Sequence, residues 1–144
     1  MDDKIKQGFE GEAIVRDMLI KKGHRIGQID LISIDKKGEP FLYEIKHQER
    51  FKSPPFDGHG LPHNQIKFRV EFARYAKLTP VLVIIEPEVD IFGKKCVFIQ
   101  DMNKLENLPD KDKHFTKTGK RIIYNISAFV EYEYDVNTKE LKRI

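Results

Sequence analysis

The sequence predicts an α/β fold in which a mixed β-sheet is flanked by helices. Apolar residues at helical spacing mark a first helix over Asp3–Lys22. Two runs of β-forming residues, Ile29–Ile34 and Phe41–Ile45, flank a polar turn and predict a hairpin. The continuous apolar run Val81–Ile85 is typical of a strand covered on both faces. The 144 residues, 40% hydrophobic and 34% charged, suit a single globular domain over 1–144.

Local sequence signals mark where the remaining helices and strands begin and end. In the first helix, Ile5, Phe9, Val15 and Leu19 fall on one side, and Gly23 ends it. The segment 53–62, rich in proline and glycine, predicts a loop. Further along the chain we expect a helix through residues 66–77 that ends before Pro80, strands at 96–99, 121–124 and 130–136, and a short helix from Asp101 to Leu108.

The predicted hairpin brings two carboxylates together. If its turn centres near Lys37, Asp30 pairs opposite Glu44. Directly opposed like charges repel, and a carboxylate inside an apolar strand is unfavourable unless something binds it. A divalent cation between the two is the simplest compensation, since Mg²⁺ is commonly held by one or two carboxylates.

Lys46 extends this cluster, because residues two apart in a strand project from the same face. Carboxylates, a cation and an ammonium group suit metal-assisted phosphodiester hydrolysis. The alternative is an ordinary charge ladder on an exposed strand face.

Glu12 lies within the apolar stripe of the first helix, and this stripe should face the core. The alternative for Glu12 is a helix-edge glutamate paired with a lysine.

Glu12 on a helix, Ile29-Asp30-Leu31 on a strand and Glu44-Ile45-Lys46 on the next strand resemble the PD-(D/E)XK nuclease superfamily, in the arrangement of small archaeal-type Holliday-junction resolvases. Ile29 stands where the superfamily's name has proline. The resemblance implies a restriction-endonuclease-like sheet. It also implies that Asp30, Glu44 and the Ile45 carbonyl bind Mg²⁺, with Mn²⁺ as a substitute, that Glu12 completes this site directly or through water, and that Lys46 assists the attacking water.

The segment Pro54–Gln65, followed by a helix and the strand Val81–Ile85, is similar to the region after the catalytic lysine in bacterial and phage resolvases of the RecU type. This likeness implies that Gln65 lies beside the site and touches a phosphate or a metal-bound water. A helix N-terminus there would help to hold an anion. The alternative is that Gln65 is only a polar residue of the first helical turn.

Other cofactor classes have weak support. His47, His59 and His63 invite a zinc hypothesis, but Gly60 and Pro62 break any helix that would align the last two, and the single cysteine adds no ligand set. Neither Gly-Lys-Ser nor Gly-Lys-Thr occurs, so we expect no nucleotide cofactor.

DNA is the expected partner, but the net charge of +3 does not establish it. We expect contacts to the DNA backbone rather than to bases. The candidate basic residues are Lys4, Lys6, Arg25, Arg50, Lys52, Lys67, Arg69 and Arg74, with a later cluster at Lys111, Lys113, Lys117, Lys120 and Arg121.

The resemblance implies a structure-selective endodeoxyribonuclease that cuts branched or four-way DNA. Two symmetric cuts require two active sites, so we expect a homodimer, with the C-terminal strand and Phe129 as candidate interface. The alternatives are a restriction-type or general DNA nuclease of the same fold, and a catalytically silent binding module. No apolar run approaches membrane-spanning length, so we expect a cytoplasmic protein without membrane contact.

Overall fold

A computed structural model describes residues 2–144, so Met1 of the predicted domain lies outside the described residues. The helices are α1 (Asp3–Lys21), α2 (His63–Ala76) and α3 (Met102–Glu106), with short 3₁₀ turns at Asp110–Asp112 and Ile126–Ala128. The strands are β1 (Leu31–Ile34), β2 (Pro40–His47), β3 (Phe51–Ser53), β4 (Phe56–Pro62), β5 (Thr79–Ile85), β6 (Lys94–Asp101), β7 (Lys113–Phe115), β8 (Arg121–Asn125), β9 (Val130–Asp135) and β10 (Leu141–Arg143).

The larger sheet has six strands in the order β1-β2-β5-β6-β9-β10. Strands β2 and β5 are parallel, and the other neighbouring pairs are antiparallel. Helix α2 makes the crossover that returns the chain to β5. The predicted α/β class, a mixed sheet flanked by helices, is confirmed.

A second, antiparallel sheet has the order β3-β4-β8-β7. Its strand β4 occupies most of the predicted loop 53–62, so that prediction was wrong. Prolines lie only at the margins of this strand, where a missing N–H is tolerated. Gly58 and Gly60 let β8 approach closely, since a Cβ on Gly60 would lie 1.8 Å from the Ile122 carbonyl oxygen. The glycines that suggested a loop instead permit tight pairing of two backbones.

The hydrophobic core lies between one face of the larger sheet, helices α2 and α3, and the second sheet. Leu82 and Ile84 of β5 pack there against Ile66 of α2 and Tyr124 of β8. Phe129 is 7% exposed and belongs to this core, so its predicted role as exposed interface was wrong. The opposite face of the larger sheet carries Tyr43, Val81 and other half-buried apolar residues.

Helix α1 forms as predicted and is capped at its N-terminus by Asp2, whose side chain accepts a hydrogen bond from the Lys4 N–H. It contains no buried residue, and Phe9 in its apolar stripe is 57% exposed. The expectation that this stripe faces the core was therefore wrong. The unpredicted second sheet supplies side chains that cover Leu82 and Ile84, such as Leu61.

Candidate active site

The hairpin turn fixes the register of the site. Asp35 Oδ1 accepts hydrogen bonds from the Lys37 and Glu39 N–H groups, and Gly38 adopts a positive φ of 84°. Leu31 then pairs with Tyr43, and Ile34 with Pro40. These pairs centre on Lys37, so the predicted register is confirmed.

Asp30 lies one residue before β1, where the same register continues toward Glu44. Its Oδ2 accepts a hydrogen bond from the Ile45 N–H at 2.8 Å. The residue is exposed, and no hydrogen bond from residues 2–144 reaches its Oδ1. The Asp30 carboxylate is thus anchored to β2 by one oxygen.

Glu44, Lys46 and Gln65 form a connected cluster. The Lys46 Nζ lies 3.2 Å from Glu44 Oε1 and donates to Gln65 Oε1 at 3.1 Å. Glu44 and Lys46 share a face of β2, and Gln65 comes from the first turn of α2. Glu44 is 3% exposed, which rules out an exposed charge ladder for this residue.

Sequence reasoning missed the structural role of Arg69. This residue is 6% exposed, and its Nε lies 2.5 Å from Glu44 Oε2. Its remaining nitrogens donate to the backbone carbonyls of Gln65 and Gln28. The prediction that Arg69 grips a DNA backbone from the surface is wrong, because its buried guanidinium binds Glu44 and the Gln28 and Gln65 carbonyls. Its spacing from Ile66 and Ala73, three and four residues, could have placed it on the buried helix face.

The Glu44 carboxylate is therefore held between two cations. The Arg69 contact is an ion pair without hydrogen-bond alignment, since Glu44 Oε2 and Arg69 Nε have no hydrogen-bond partner. A buried carboxylate is tolerable only with such compensation. The Glu44 Oε1 faces the Lys46 Nζ, and its Oε2 faces the Arg69 Nε.

Glu12 is not brought into this cluster. Its side chain is 56% exposed and pairs with Arg16 one turn later at 3.1 Å. The pair lines a groove with Ile26 and Gln28, two residues before Asp30. This position fits the alternative of a helix-edge glutamate in an ion pair, although its partner is Arg16 and not the expected lysine. A role for Glu12 at the site stays a prediction.

The donor set suits a hard divalent cation. Two carboxylates and the Ile45 carbonyl offer oxygen ligands, which Mg²⁺ and Mn²⁺ prefer. The Asp30 Oδ1, which accepts no hydrogen bond from residues 2–144, is the atom most open to such a cation, whereas the Glu44 oxygens already face Lys46 and Arg69. Within residues 2–144, no three His, Cys, Asp or Glu side chains form a preassembled metal cluster.

A basic cleft of about 620 Å³ opens beside Gln65. It lies between α1, the segment 25–28 and the start of α2. Arg16, Arg25 and Lys67 line it, but Arg16 is paired with Glu12 and the Arg25 guanidinium makes a bidentate pair with Glu71. Lys67 is exposed on the first turns of α2.

The three histidines of the zinc hypothesis have separate surroundings. His59 is fully buried in β4, with Nε2 2.7 Å from Glu86 Oε2 and Nδ1 3.3 Å from the Gln48 amide nitrogen. Because that amide donates to Nδ1, Nε2 carries the proton donated to Glu86. His63 packs edge-on against Phe115, and His47 lies near the Lys95 amine.

Acidification should destabilise the protein through His59 and Glu86. Burial lowers the pKa of His59 below 6.5, against the opposing effect of Glu86. For Glu86, burial raises the pKa, but hydrogen bonds from Arg50 and His59 outweigh it and leave it below 4.5. Both groups bind protons more readily when unfolded, so stability falls as pH drops below 6.5 for His59 and below 4.5 for Glu86.

Urea unfolding at pH 7.5 and 5.5 measures the histidine contribution. We expect a loss on the order of 1 kcal/mol in the free energy of unfolding. His59→Gln should flatten this dependence, and the control His63→Gln should keep it. Equal pH dependence in all three proteins would show that His59 is not its source.

Comparison of the chain with protein-family models, with curated proteins and with solved structures gave no match. Among residues 2–144, no helix is both long and apolar enough to cross a membrane.

Proposed function

We propose that the protein is a Mg²⁺-dependent structure-selective endodeoxyribonuclease, a Holliday-junction resolvase that cuts four-way DNA. The observation that carries this proposal is the convergence of Asp30, Glu44, Lys46 and Gln65 from a hairpin and a helix. Two carboxylates that can hold a metal ion, with an ammonium group that can stabilise developing negative charge, suit phosphodiester hydrolysis.

Each side chain has a distinct role in this proposal. Asp30, Glu44 and the Ile45 carbonyl would hold Mg²⁺ or Mn²⁺. When bound, the cation polarises the phosphate and lowers the pKa of a water molecule. The Lys46 ammonium stabilises negative charge that develops on the phosphate oxygens. Gln65 positions the ammonium through its 3.1 Å hydrogen bond.

The basic cleft supports a DNA backbone as ligand. Phosphate contacts supply affinity without reading sequence, so recognition would depend on DNA shape. Lys67 lines the cleft next to Gln65 and places positive charge beside the cluster, while Arg16 in the same lining is paired with Glu12. We include a homodimer in the proposal, since one junction needs two symmetric cuts. We also propose that the enzyme acts in the cytoplasm.

Gln65→Ala should distinguish a Gln65 that positions the Lys46 ammonium from a Gln65 that is only a polar residue of the first helical turn. Without the amide, Lys46 keeps only its Glu44 contact, so we expect about a tenfold lower cleavage rate, the usual scale for a supporting hydrogen bond at a metal site. The matched control is Asn64→Ala, which removes the exposed amide one residue earlier. The rates should be measured on preformed DNA complexes with Mg²⁺. Equal rates in the two variants would reduce Gln65 to a polar residue of the first helical turn.

Cleavage of an end-labelled four-way junction, compared with linear duplex and single strand of the same sequence, tests the proposal. The wild type should make paired, symmetric nicks in the junction with Mg²⁺ and none with EDTA. Equal cutting of linear duplex would favour a general or restriction-type nuclease. Binding without cutting of any substrate would favour a silent binding module.

A further inference from the structure

Three aromatic side chains lie on the side of helix α2 that faces away from the core. Phe68, Phe72 and Tyr75 are four and three residues apart, so they follow one another along a single face of the helix. Ile66 and Ala73 occupy the opposite face and are buried. We call Phe68, Phe72 and Tyr75 the aromatic stripe.

Two rings of the aromatic stripe are open to solvent. Tyr75 is 76% exposed and Phe72 is 42% exposed, whereas Phe68 is half-buried. The Phe68 and Phe72 rings are nearly parallel, with 18° between their planes and 6.2 Å between their centroids. An exposed row of large apolar side chains is informative, because apolar patches on a protein surface mark interaction sites.

Phe68 connects the aromatic stripe to the candidate active site. Its ring lines the cleft beside Gln65, whose amide oxygen accepts a hydrogen bond from the Lys46 ammonium. The ring also lies against the backbone at Gly27, where an added Cβ would clash with it. A ligand that runs along the stripe toward the start of α2 therefore reaches the cleft next to Gln65 and Lys46.

The charges beside the aromatic stripe favour a polyanion. Lys67 and Arg74 are both exposed, and because they are seven residues apart they lie along the same edge of the stripe. The Arg74 Cζ lies 5.1 Å from the Tyr75 ring centroid, so a cation and a ring are adjacent. Glu71 lies between the two cations but forms a bidentate pair with Arg25. The net positive charge of this edge favours a nucleic-acid strand over an apolar protein partner.

We propose that the aromatic stripe binds single-stranded DNA, with bases stacked on the rings and phosphates along the edge that carries Lys67 and Arg74. Single-strand binders combine stacking rings with a positive track, and stacking tolerates any sequence because every base has an aromatic face. Duplex DNA is a poor ligand for the rings, because its bases already stack on one another. That the bound strand is an unpaired stretch of a branched substrate, led toward the cleft, rests on the proposed nuclease function.

Fluorescence anisotropy with labelled strands of about 12 nucleotides, in EDTA, tests this surface. The wild type should bind oligothymidylate at least about tenfold more tightly than an abasic strand of the same length, because only the first can stack. It should also bind oligothymidylate more tightly than a duplex of that length. Equal affinity for the thymidylate and abasic strands would overturn the proposal.

Substitutions in the aromatic stripe locate the binding surface. Phe72→Ala removes the central ring and should weaken oligothymidylate binding about tenfold, whereas Phe72→Tyr keeps a ring and should bind as the wild type does. The matched control is Phe92→Ala, since Phe92 is 72% exposed outside the stripe. Equal affinity of Phe72→Ala and Phe92→Ala would overturn the proposal. Should Phe72→Ala not fold, Tyr75→Ala removes the most exposed ring and should show the same loss.

Arg74→Met tests the phosphate edge, away from the cleft. It should reduce the slope of log affinity against log salt concentration by about 0.7, the value for one phosphate contact on a single strand. The abasic strand should show the same reduction, since it keeps its phosphates. An unchanged slope would refute the placement of phosphates beside Arg74. The readout is binding without cleavage, so failure of this surface and failure of the nuclease proposal are distinguishable.

Discussion

Asp30→Asn should lower the rate of four-way-junction cleavage at least about 100-fold, which corresponds to about 2.7 kcal/mol of activation free energy. Asparagine has nearly the shape of aspartate, and its amide oxygen can still accept the Ile45 hydrogen bond. The negative charge that would hold a divalent cation is lost. Because Asp30 is exposed, we expect little change in stability.

Glu44→Gln should cause the same loss of cleavage, but with a cost in stability. The substitution leaves the Lys46 and Arg69 charges facing a neutral amide. Both variants should still bind the junction in a gel-shift assay with Ca²⁺, since neither removes a basic residue. The matched control is Glu39→Gln, an exposed carboxylate at the other end of the hairpin. Wild-type cleavage by folded Asp30→Asn would show that the site lies elsewhere.

Arg69→Met should destabilise the fold by about 3 kcal/mol, the cost of removing one partner of a buried ion pair. Arg69 joins three parts of the site: the Glu44 carboxylate and the carbonyls of Gln28 and Gln65. Methionine fills the space but satisfies none of these groups. We expect Lys46 to remain near Glu44, which keeps part of the compensation.

Urea unfolding at pH 7.5 measures the change in the free energy of unfolding that Arg69→Met causes. The matched control is Arg74→Met on the same helix, where the guanidinium is exposed and lies over the Tyr75 ring. That substitution should cost less than about 0.5 kcal/mol, as surface changes usually do. If Arg69→Met costs no more than the control, Arg69 does not stabilise the buried Glu44 carboxylate.

The part of the site that depends on local pairing was predictable from sequence. The register from Asp30 to Glu44 follows from the turn at Asp35 and Gly38, and Lys46 follows from strand alternation. Gln65 comes from another element, and only the resemblance placed it beside the site.

Other features depend on tertiary packing and could not be predicted from local sequence patterns. Strand β4 was hidden by prolines and glycines that usually break strands, whereas here Gly58 and Gly60 admit the close approach of β8. Residues of that sheet, such as Leu61, cover the core face of the larger sheet in place of the apolar stripe of α1. Arg69 lay on a predicted helix, but an arginine on a buried face is rare enough to be mistaken for surface.

Mn²⁺ binding, counted by electron paramagnetic resonance, tests the proposed site most directly. Wild type and Asp30→Asn would be titrated with Mn²⁺ in the presence of saturating junction DNA, with Glu39→Gln as control. We predict that the wild type and Glu39→Gln have a site that Asp30→Asn binds at least tenfold more weakly. Equal Mn²⁺ affinity and stoichiometry in all three proteins would contradict the assignment of Asp30 to a metal-dependent nuclease site.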